Sequence, residues 1–381
     1  MLITKIKVVN LYGLHNYDIA FDKEECLKII HAPNGYGKTT VLRLIKAILE
    51  GSLAEIKQVP FKSFLIQCDE NTQVEVYKEK LQLFYRFVSD GSEENYEVSI
   101  DKTEALSDSI LVRLKRITQE MPIYLIDANR LWLEKKEYQD SSHMLLPTVL
   151  EYADELSELM REALAQSNYC GQELDRSFPS RLIKRLKDPM ARCFSLDEAK
   201  EALGELEKRR KILEETGLFS KVPIDASYDL SEMDDKLLQV LTLYVEDSNK
   251  KLKAFESLAT KINLLCQLIN KRFAYKVMEV SMEEGFLFRV PTNEKLRADK
   301  LSSGEQNELI LIYMLLFKSP ANALILIDEP EISLHIAWQQ NFLDDMEMIA
   351  KLSGIRMMIA THSPDIINGR WDLTTALEGE E

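Results

Sequence analysis

The chain has 381 residues, a hydrophobic fraction of 45% and a formal net charge of −15. This length supports one large domain with an insertion, or two domains, and the acidic balance argues against a surface that coats nucleic acid everywhere, though not against a local basic groove. No apolar run suits a bilayer span, no cleavable signal is expected, and Cys26, Cys68, Cys170, Cys193 and Cys266 form no CxxC pair, so zinc and disulfide frameworks are not indicated and a reducing cytoplasm is the expected compartment.

Residues 1 to about 30 alternate as three short strands, marked by Ile3, Ile6 and Val8, by Tyr17, Ile19 and Phe21, and by Leu27, Ile29 and Ile30. The third strand feeds Ala32-Pro33-Asn34-Gly35-Tyr36-Gly37-Lys38-Thr39-Thr40, and the helical pattern of Val41, Leu42, Leu44, Ile45 and Ile48 leaves it. Strand, glycine-bearing loop and helix in this order make a phosphate-binding loop. Gly35 and Gly37 let the backbone curl so that its N–H groups converge on phosphate oxygens. The helix opening at Lys38 adds its positive dipole end. Lys38 offers a mobile cation to the β- and γ-phosphates, and Thr39 a hydroxyl to magnesium. The nucleotide contacts expected here are Asn34, Gly35, Tyr36, Gly37, Lys38, Thr39 and Thr40. Ala32 stands where such loops usually begin with glycine, and its small side chain leaves the loop workable.

Gly51 is a plausible helix stop. Residues 61–100 read as an antiparallel meander, a helix fits 104–117, and Pro122 precedes a buried strand, Ile123-Tyr124-Leu125-Ile126. From about residue 147 to 272 the chain turns rich in Leu, Glu, Lys and Arg. Leu196, Ala199, Leu203, Leu206, Arg210 and Leu213 have heptad spacing, as do Phe255, Leu258, Ile262, Leu265 and Ile269. Gly217, Pro223 and a polar stretch to Ser231 lie between. Two antiparallel helices packed as a short coiled coil fit this pattern, and so does an ordinary helical subdomain. Basic clusters at 181–192, 208–211 and 250–253 are interleaved with acids. They read as a solvated helix face or as a contact for nucleic acid or an acidic partner. After Arg272 a hairpin is expected around Glu283-Glu284-Gly285.

The chemistry of the second half lies in residues 301–335 and 355–364. Ala323-Leu324-Ile325-Leu326-Ile327-Asp328-Glu329-Pro330 is an apolar strand ending in two carboxylates. Such a strand is buried on both faces of a parallel sheet, whose carboxyl ends hold ligands. Asp328 is placed to hold magnesium, and Glu329 to take a proton from an attacking water. Leu301-Ser302-Ser303-Gly304-Glu305-Gln306 precedes an apolar helix. It should present a hydroxyl and free N–H groups to an anion. With no phosphate-binding lysine of its own, it makes sense as the completing half of a nucleotide site on another subunit. His362 ends a strand beside Asp328 and Glu329.

APNGYGKT, LSSGEQ, LILIDEPEISLH and IATHSP, in this order, resemble the ATP-binding-cassette ATPases, above all the soluble branch of RecF, the SMC proteins and the ATPase half of the OLD nucleases. The resemblance implies an α/β head, with a parallel sheet core and an antiparallel β subdomain, carrying an α-helical hairpin insertion. It implies ATP and Mg2+ as ligands. Lys38 and Thr39 match the Walker A lysine and threonine, and Asp328 and Glu329 the Walker B aspartate and catalytic glutamate. Ser302, Ser303, Gly304 and Glu305 match the signature that reaches the γ-phosphate across a dimer. Residues 331–335 match the D-loop, and His362 the switch histidine. The catalytic set is then Glu329, His362 and Lys38. The stretch 125–130 is similar to a Q-loop in which Asn129, shorter by a methylene than the usual glutamine, joins Thr39 and Asp328 as a metal ligand.

The expected domains are an N-terminal ATPase lobe at 1–146, a helical insertion at 147–272 and a C-terminal ATPase lobe at 273–381. The insertion is too short for SMC arms, and no Toprim-like nuclease region is expected after the ATPase. The chain is similar in this to the ATPase subunits of anti-phage systems such as PARIS and Septu, which work with a separately encoded nuclease or toxin. The expectation is therefore a cytoplasmic ATPase, paired head to head, possessing no membrane contact and controlling such an effector. Clamping of duplex DNA in the manner of RecF or SMC is the competing expectation, and a non-hydrolysing scaffold is the third.

Overall fold

Three short apolar runs, Leu27–His31, Leu324–Asp328 and Arg356–Thr361, bury both faces and so pair inside a parallel sheet. In the computed structural model this sheet has five parallel strands in the order Thr374–Ala376, Leu27–His31, Arg356–Thr361, Leu324–Asp328, Ile123–Ile126. Asp328 pairs in register with Ala360, and Thr361 with His31. The carboxyl ends of three neighbouring strands are therefore level, and everything placed just beyond them shares one edge. The short stretch after Trp371 supplies the edge strand Thr374–Ala376. Three residues are too few to show a strand period.

The structure describes residues 1–69, 71–80, 82–89, 91–99, 106–126, 132–135, 144–188, 190–219, 233–334 and 336–377. It divides into two compact units, Met1–Trp132 with Ser302–Glu381, and Leu133–Leu301.

In the first unit a six-stranded antiparallel sheet runs His15–Ala20, Ile3–Leu11, Ser63–Cys68, Thr72–Glu79, Gln82–Ser89, Ser92–Ser99. The expected meander is present. One core joins this sheet to the helix Lys38–Glu50 and to the parallel sheet through Ile6, Val8, Phe64, Val41, Ile45, Leu326 and Met358. The helix expected at 104–117 runs Asp108–Glu120. The architecture is thus the expected α/β head with parallel and antiparallel sheets.

The second unit holds three long helices rather than two: Thr148–Lys187, Leu196–Glu215 and Asp235–Arg272. The heptad positions of the last two are used as read. Ala199, Leu203, Leu206, Leu213, Phe255, Ile262, Leu265 and Ile269 are buried. Ser195 and Glu198 form a capping box on the second helix, and the Asp234 carboxylate caps the third. The first helix escaped the sequence reading because its distal half is polar and contains Pro179. Its partner is the third helix. Arg181 makes a two-pronged pair with Asp247, and Arg185 pairs with Glu246. The strands Val277–Ser281 and Gly285–Arg289, expected with the C-terminal lobe, group with these helices, because Thr148–Lys187 packs directly on Gly285–Arg289. By packing the chain divides at 132/133 and 301/302, beside the expected boundaries at 146/147 and 272/273. The connection carrying Pro223 and Ser231 lies outside the described residues. Among the described residues no helix is long and apolar enough to cross a membrane.

Candidate functional site

The strand Leu27–His31 delivers the loop, and the helix Lys38–Glu50 leaves it from Gly37 in the left-handed region, φ 78°. Gly35, at φ 93°, is also left-handed. A Cβ on Gly37 would stand 2.9 Å from Leu11 Cδ2, and the positive φ favours glycine there in any case. The antiparallel hairpin braces the loop at further points. Tyr17 Oη donates to the Tyr36 carbonyl at 2.6 Å, the Tyr12 and Thr40 hydroxyls are 3.0 Å apart, and the His15 and Tyr36 rings lie 5.3 Å apart. Burial, with Tyr36 beside it, pushes the Tyr17 phenol up to about 12, which keeps it a donor. These supports were not read from sequence. Asn10 to Gly13 show only a turn, and nothing local says that a turn's neighbours will brace a loop some twenty residues on.

Lys38 is 4% exposed, and its ammonium donates to the carbonyls of Ala32 at 2.8 Å and Pro33 at 3.2 Å. The lysine is held inside the loop by the residue that replaces the usual glycine. Thr39 Oγ1 donates to Asp328 Oδ1 at 3.1 Å, across 289 residues of sequence. This contact joins the two motif halves. Burial raises the Asp328 pKa above the usual carboxylate range. The Thr39 hydrogen bond opposes the rise, and the charge of Glu329 adds to it.

Glu329 follows in the left-handed region, φ 44° and ψ 60°, uncommon for a residue with a Cβ. Its N–H donates to the Ala360 carbonyl at 2.9 Å, which turns the chain sharply off the strand end. Strained backbone of this kind gathers at functional sites. The Glu329 carboxylate lies 3.8 Å from His362 Nδ1. Lys38, Thr39, Asp328, Glu329 and His362 thus belong to one strand-end edge. The sequence reading gave Glu331 only a place in the D-loop. In the structure its buried carboxylate accepts from Thr361 Oγ1 and from the His362 N–H, and it lies 3.0 Å from His362 Nδ1. The available signal was a charged residue set between the apolar Pro330 and Ile332.

The signature residues open the helix Ser303–Tyr313, which packs on the turn Pro330–Ser333. Here the structure corrects the expectation of a free hydroxyl. Ser302 and Glu305 form a capping box, in which the Ser302 N–H and hydroxyl both donate to Glu305 Oε2 at 2.8 Å. A carboxylate of the chain itself therefore occupies Ser302. The pattern Ser-x-x-Glu was visible in the sequence and went unused. Asn129 and His335 lie outside the described residues.

The donor set fits the expected ligands. A hydroxyl and a carboxylate, hard oxygen donors in contact, suit magnesium, and the glycine curl with the N-terminal turn of a 13-residue helix suits a phosphate chain. A family model described as an AAA ATPase domain matches residues 1–367. Among solved structures the chain is similar to the SMC head domain of Pyrococcus furiosus with an extended coiled coil, bound to the C-terminal domain of ScpA. The identity is 14%, the match covers 96% of this chain and 91% of that one, and the TM-score is 0.39. It is also similar to an SMC head bound to the C-winged helix domain of ScpA, at 13% identity, 96% and 91% coverage and a TM-score of 0.40. No curated protein matches the chain. With nearly its whole length matched, the chain belongs to the AAA ATPase domain family.

Proposed function

We propose that the protein binds and hydrolyses ATP, that two copies share their nucleotide sites, and that closure of the pair controls a separately encoded effector, a nuclease or toxin, in anti-phage defence. The carrying observation is the contact of Thr39 with Asp328 beside Lys38 and Glu329. It joins a phosphate-binding loop, a metal-type donor pair and a general base on one sheet edge. Asn34, Gly35, Tyr36, Gly37 and Thr40 bind the phosphates through the loop and the first helical turn. Lys38 turns from its loop carbonyls onto the β- and γ-phosphates. Thr39 and Asp328, with Asn129, hold magnesium, which offsets negative charge on the phosphates when bound. Glu329 accepts a proton from water as the water oxygen bonds to the γ-phosphorus. The bond from that phosphorus to the bridging oxygen breaks, giving ADP and phosphate. Ser302, Ser303, Gly304 and Glu305 complete the partner's site, with Glu305 giving up its hold on Ser302.

Pairing of the heads is tested by complementation. Ser302→Arg and Lys38→Ala are each expected to abolish turnover, and their mixture to recover part of it through one intact composite site. A mixture as inactive as its parents, with heterodimers confirmed by mass, contradicts the shared site.

A protein effector is favoured over duplex DNA by the charges of the helical unit. Arg181, Arg185, Lys208, Arg209, Arg210 and Lys251 each pair with a carboxylate of the same unit. With these six engaged inside the unit, the clusters keep fewer free charges for phosphates. The anti-phage role rests on the motif resemblance alone. A cytoplasmic location goes with it, and the five free thiols agree. Co-purification with the product of a neighbouring nuclease or toxin gene, and protection of cells from phage, test the effector reading. A steeply salt-dependent affinity for plain duplex DNA would favour the clamp instead.

A further inference from the structure

The residue that the site has not yet used is Glu331. Its side chain is 7% exposed, against 43% for His362. Two donors converge on its Oε1, Thr361 Oγ1 at 2.7 Å and the His362 N–H at 2.9 Å, and His362 Nδ1 stands 3.0 Å from the same oxygen. The second oxygen, Oε2, is buried and makes no hydrogen bond. A carboxylate buried in this way is expensive unless its partners need it. Thr361 is fully buried at the strand end and also accepts from the Ser363 N–H at 3.0 Å, while Ser363 Oγ donates to Gln339 Oε1 at 2.8 Å. Glu331 is therefore held from a buried frame, with the more exposed ring of His362 beside it.

A ring nitrogen 3.0 Å from a carboxylate oxygen carries the hydrogen, because a carboxylate only accepts. The same Nδ1 stands 3.8 Å from Glu329 Oε1, too far for a hydrogen bond. One N–H thus faces two carboxylates and is taken by the one that does not do chemistry. We propose that Glu331 is a positioning residue for His362: it captures the Nδ1–H, which leaves Nε2 as the nitrogen open to a ligand and keeps the imidazole from closing onto Glu329. The tautomer of a histidine is set by the bond its other nitrogen makes, and here Glu331 makes it. Without Glu331, a shift of under about 1 Å brings the Nδ1–H within hydrogen-bond reach of Glu329 and occupies the base. This inference rests on the assignment of Glu329 and His362 to ATP hydrolysis, and its test is separable from that assignment.

The first measurement is the nitrogen NMR spectrum of the full chain labelled in its histidine rings, taken above the imidazole titration range. His362 is assigned by its absence in His362→Ala. Wild-type protein is expected to show His362 with hydrogen on Nδ1. Glu331→Met, which keeps bulk but offers no carboxylate, is expected to return it to the Nε2–H form that free imidazole prefers. Glu331→Gln, which keeps an acceptor oxygen, is expected to retain Nδ1–H. An Nε2–H ring in wild-type protein overturns the proposal whether or not any variant folds, and so does an unchanged Nδ1–H ring in Glu331→Met. The second measurement is ATP turnover. Glu331→Met is expected to lower kcat about 10–100-fold, as loss of an orienting partner typically does, with KM unchanged. Glu331→Gln should keep most of the rate. In a His362→Ala background Glu331→Met should cost nothing further. A full second loss in that background makes Glu331 a folding residue and overturns the proposal. If wild-type protein does not hydrolyse ATP, the assignment of the site fails, and the spectra still judge Glu331.

Discussion

Gly285 and Gly204 lie in the same helical unit and should respond to alanine in opposite directions. Gly285 opens a strand at φ 64°, and a Cβ there would stand 1.8 Å from the Ala153 carbonyl oxygen and 2.5 Å from its carbon. Both neighbours are backbone of the helix Thr148–Lys187, so no side chain can turn away. The left-handed conformation costs an alanine about 1–2 kcal/mol. Forcing strand and helix apart costs about 1–3 kcal/mol in ordinary overpacking. Together Gly285→Ala should lose about 2–5 kcal/mol, a large share of the roughly 5–15 kcal/mol that holds a typical domain. Gly204 lies inside the helix Leu196–Glu215, with no positive φ and nothing within 4 Å of its Cβ position. Gly204→Ala should gain about 0.5–1 kcal/mol from helix propensity alone. Urea unfolding followed by circular dichroism measures both. A loss below about 1 kcal/mol for Gly285→Ala would refute the close packing of the first helix on the Gly285–Arg289 strand, and with it the grouping of that hairpin with the helices.

Two further variants probe the first unit. Asp328→Asn should abolish turnover yet raise Tm at neutral pH. Burial and Glu329 raise the folded-state pKa of Asp328, so the folded chain holds its proton to higher pH than the unfolded chain. The ionised carboxylate then costs stability as pH rises through that value, and asparagine removes the cost while keeping an oxygen for Thr39. An unchanged or lower Tm contradicts this. Lys78 donates to the carbonyls of Ile56 and Val59, each at 2.6 Å, and lies 4.3 Å from the Phe61 ring centroid. Lys78→Met should cost about 1–3 kcal/mol by leaving those carbonyls without a donor. Burial pulls the Lys78 pKa down to about 8, below its unfolded value, so the unfolded chain holds the extra proton above that pH. The wild-type advantage over the variant should therefore grow from about pH 8 upward, as paired thermal melts would read it.

The site was legible where its chemistry is written in short runs. A wholly apolar strand that ends in Asp328-Glu329 can only be central in a parallel sheet, and a second such strand ending at His362 must lie beside it. Their register makes the shared edge. What was illegible depends on tertiary contact. Tyr12, His15 and Tyr17 brace the phosphate loop from a hairpin whose sequence shows only strand alternation. Glu331 looks like one more acid until the fold lays it under Thr361 and His362. The helix Thr148–Lys187 was hidden by Pro179 and by a polar surface that is satisfied through Arg181 and Arg185. Its pairing also bears on any deletion of the insertion: one that removes Glu246 and Asp247 strands both arginines, so a fair deletion shortens the first and third helices together.

The central claim is that Glu329 is the general base of an ATP-hydrolysing site. Glu329→Gln tests it most directly, with ATP affinity and turnover measured on the same preparation. Affinity close to wild type, with turnover at least about a hundredfold slower, is the predicted result, since removing a positioned base typically costs 10²–10⁴-fold. Near-normal turnover by the purified variant would contradict it.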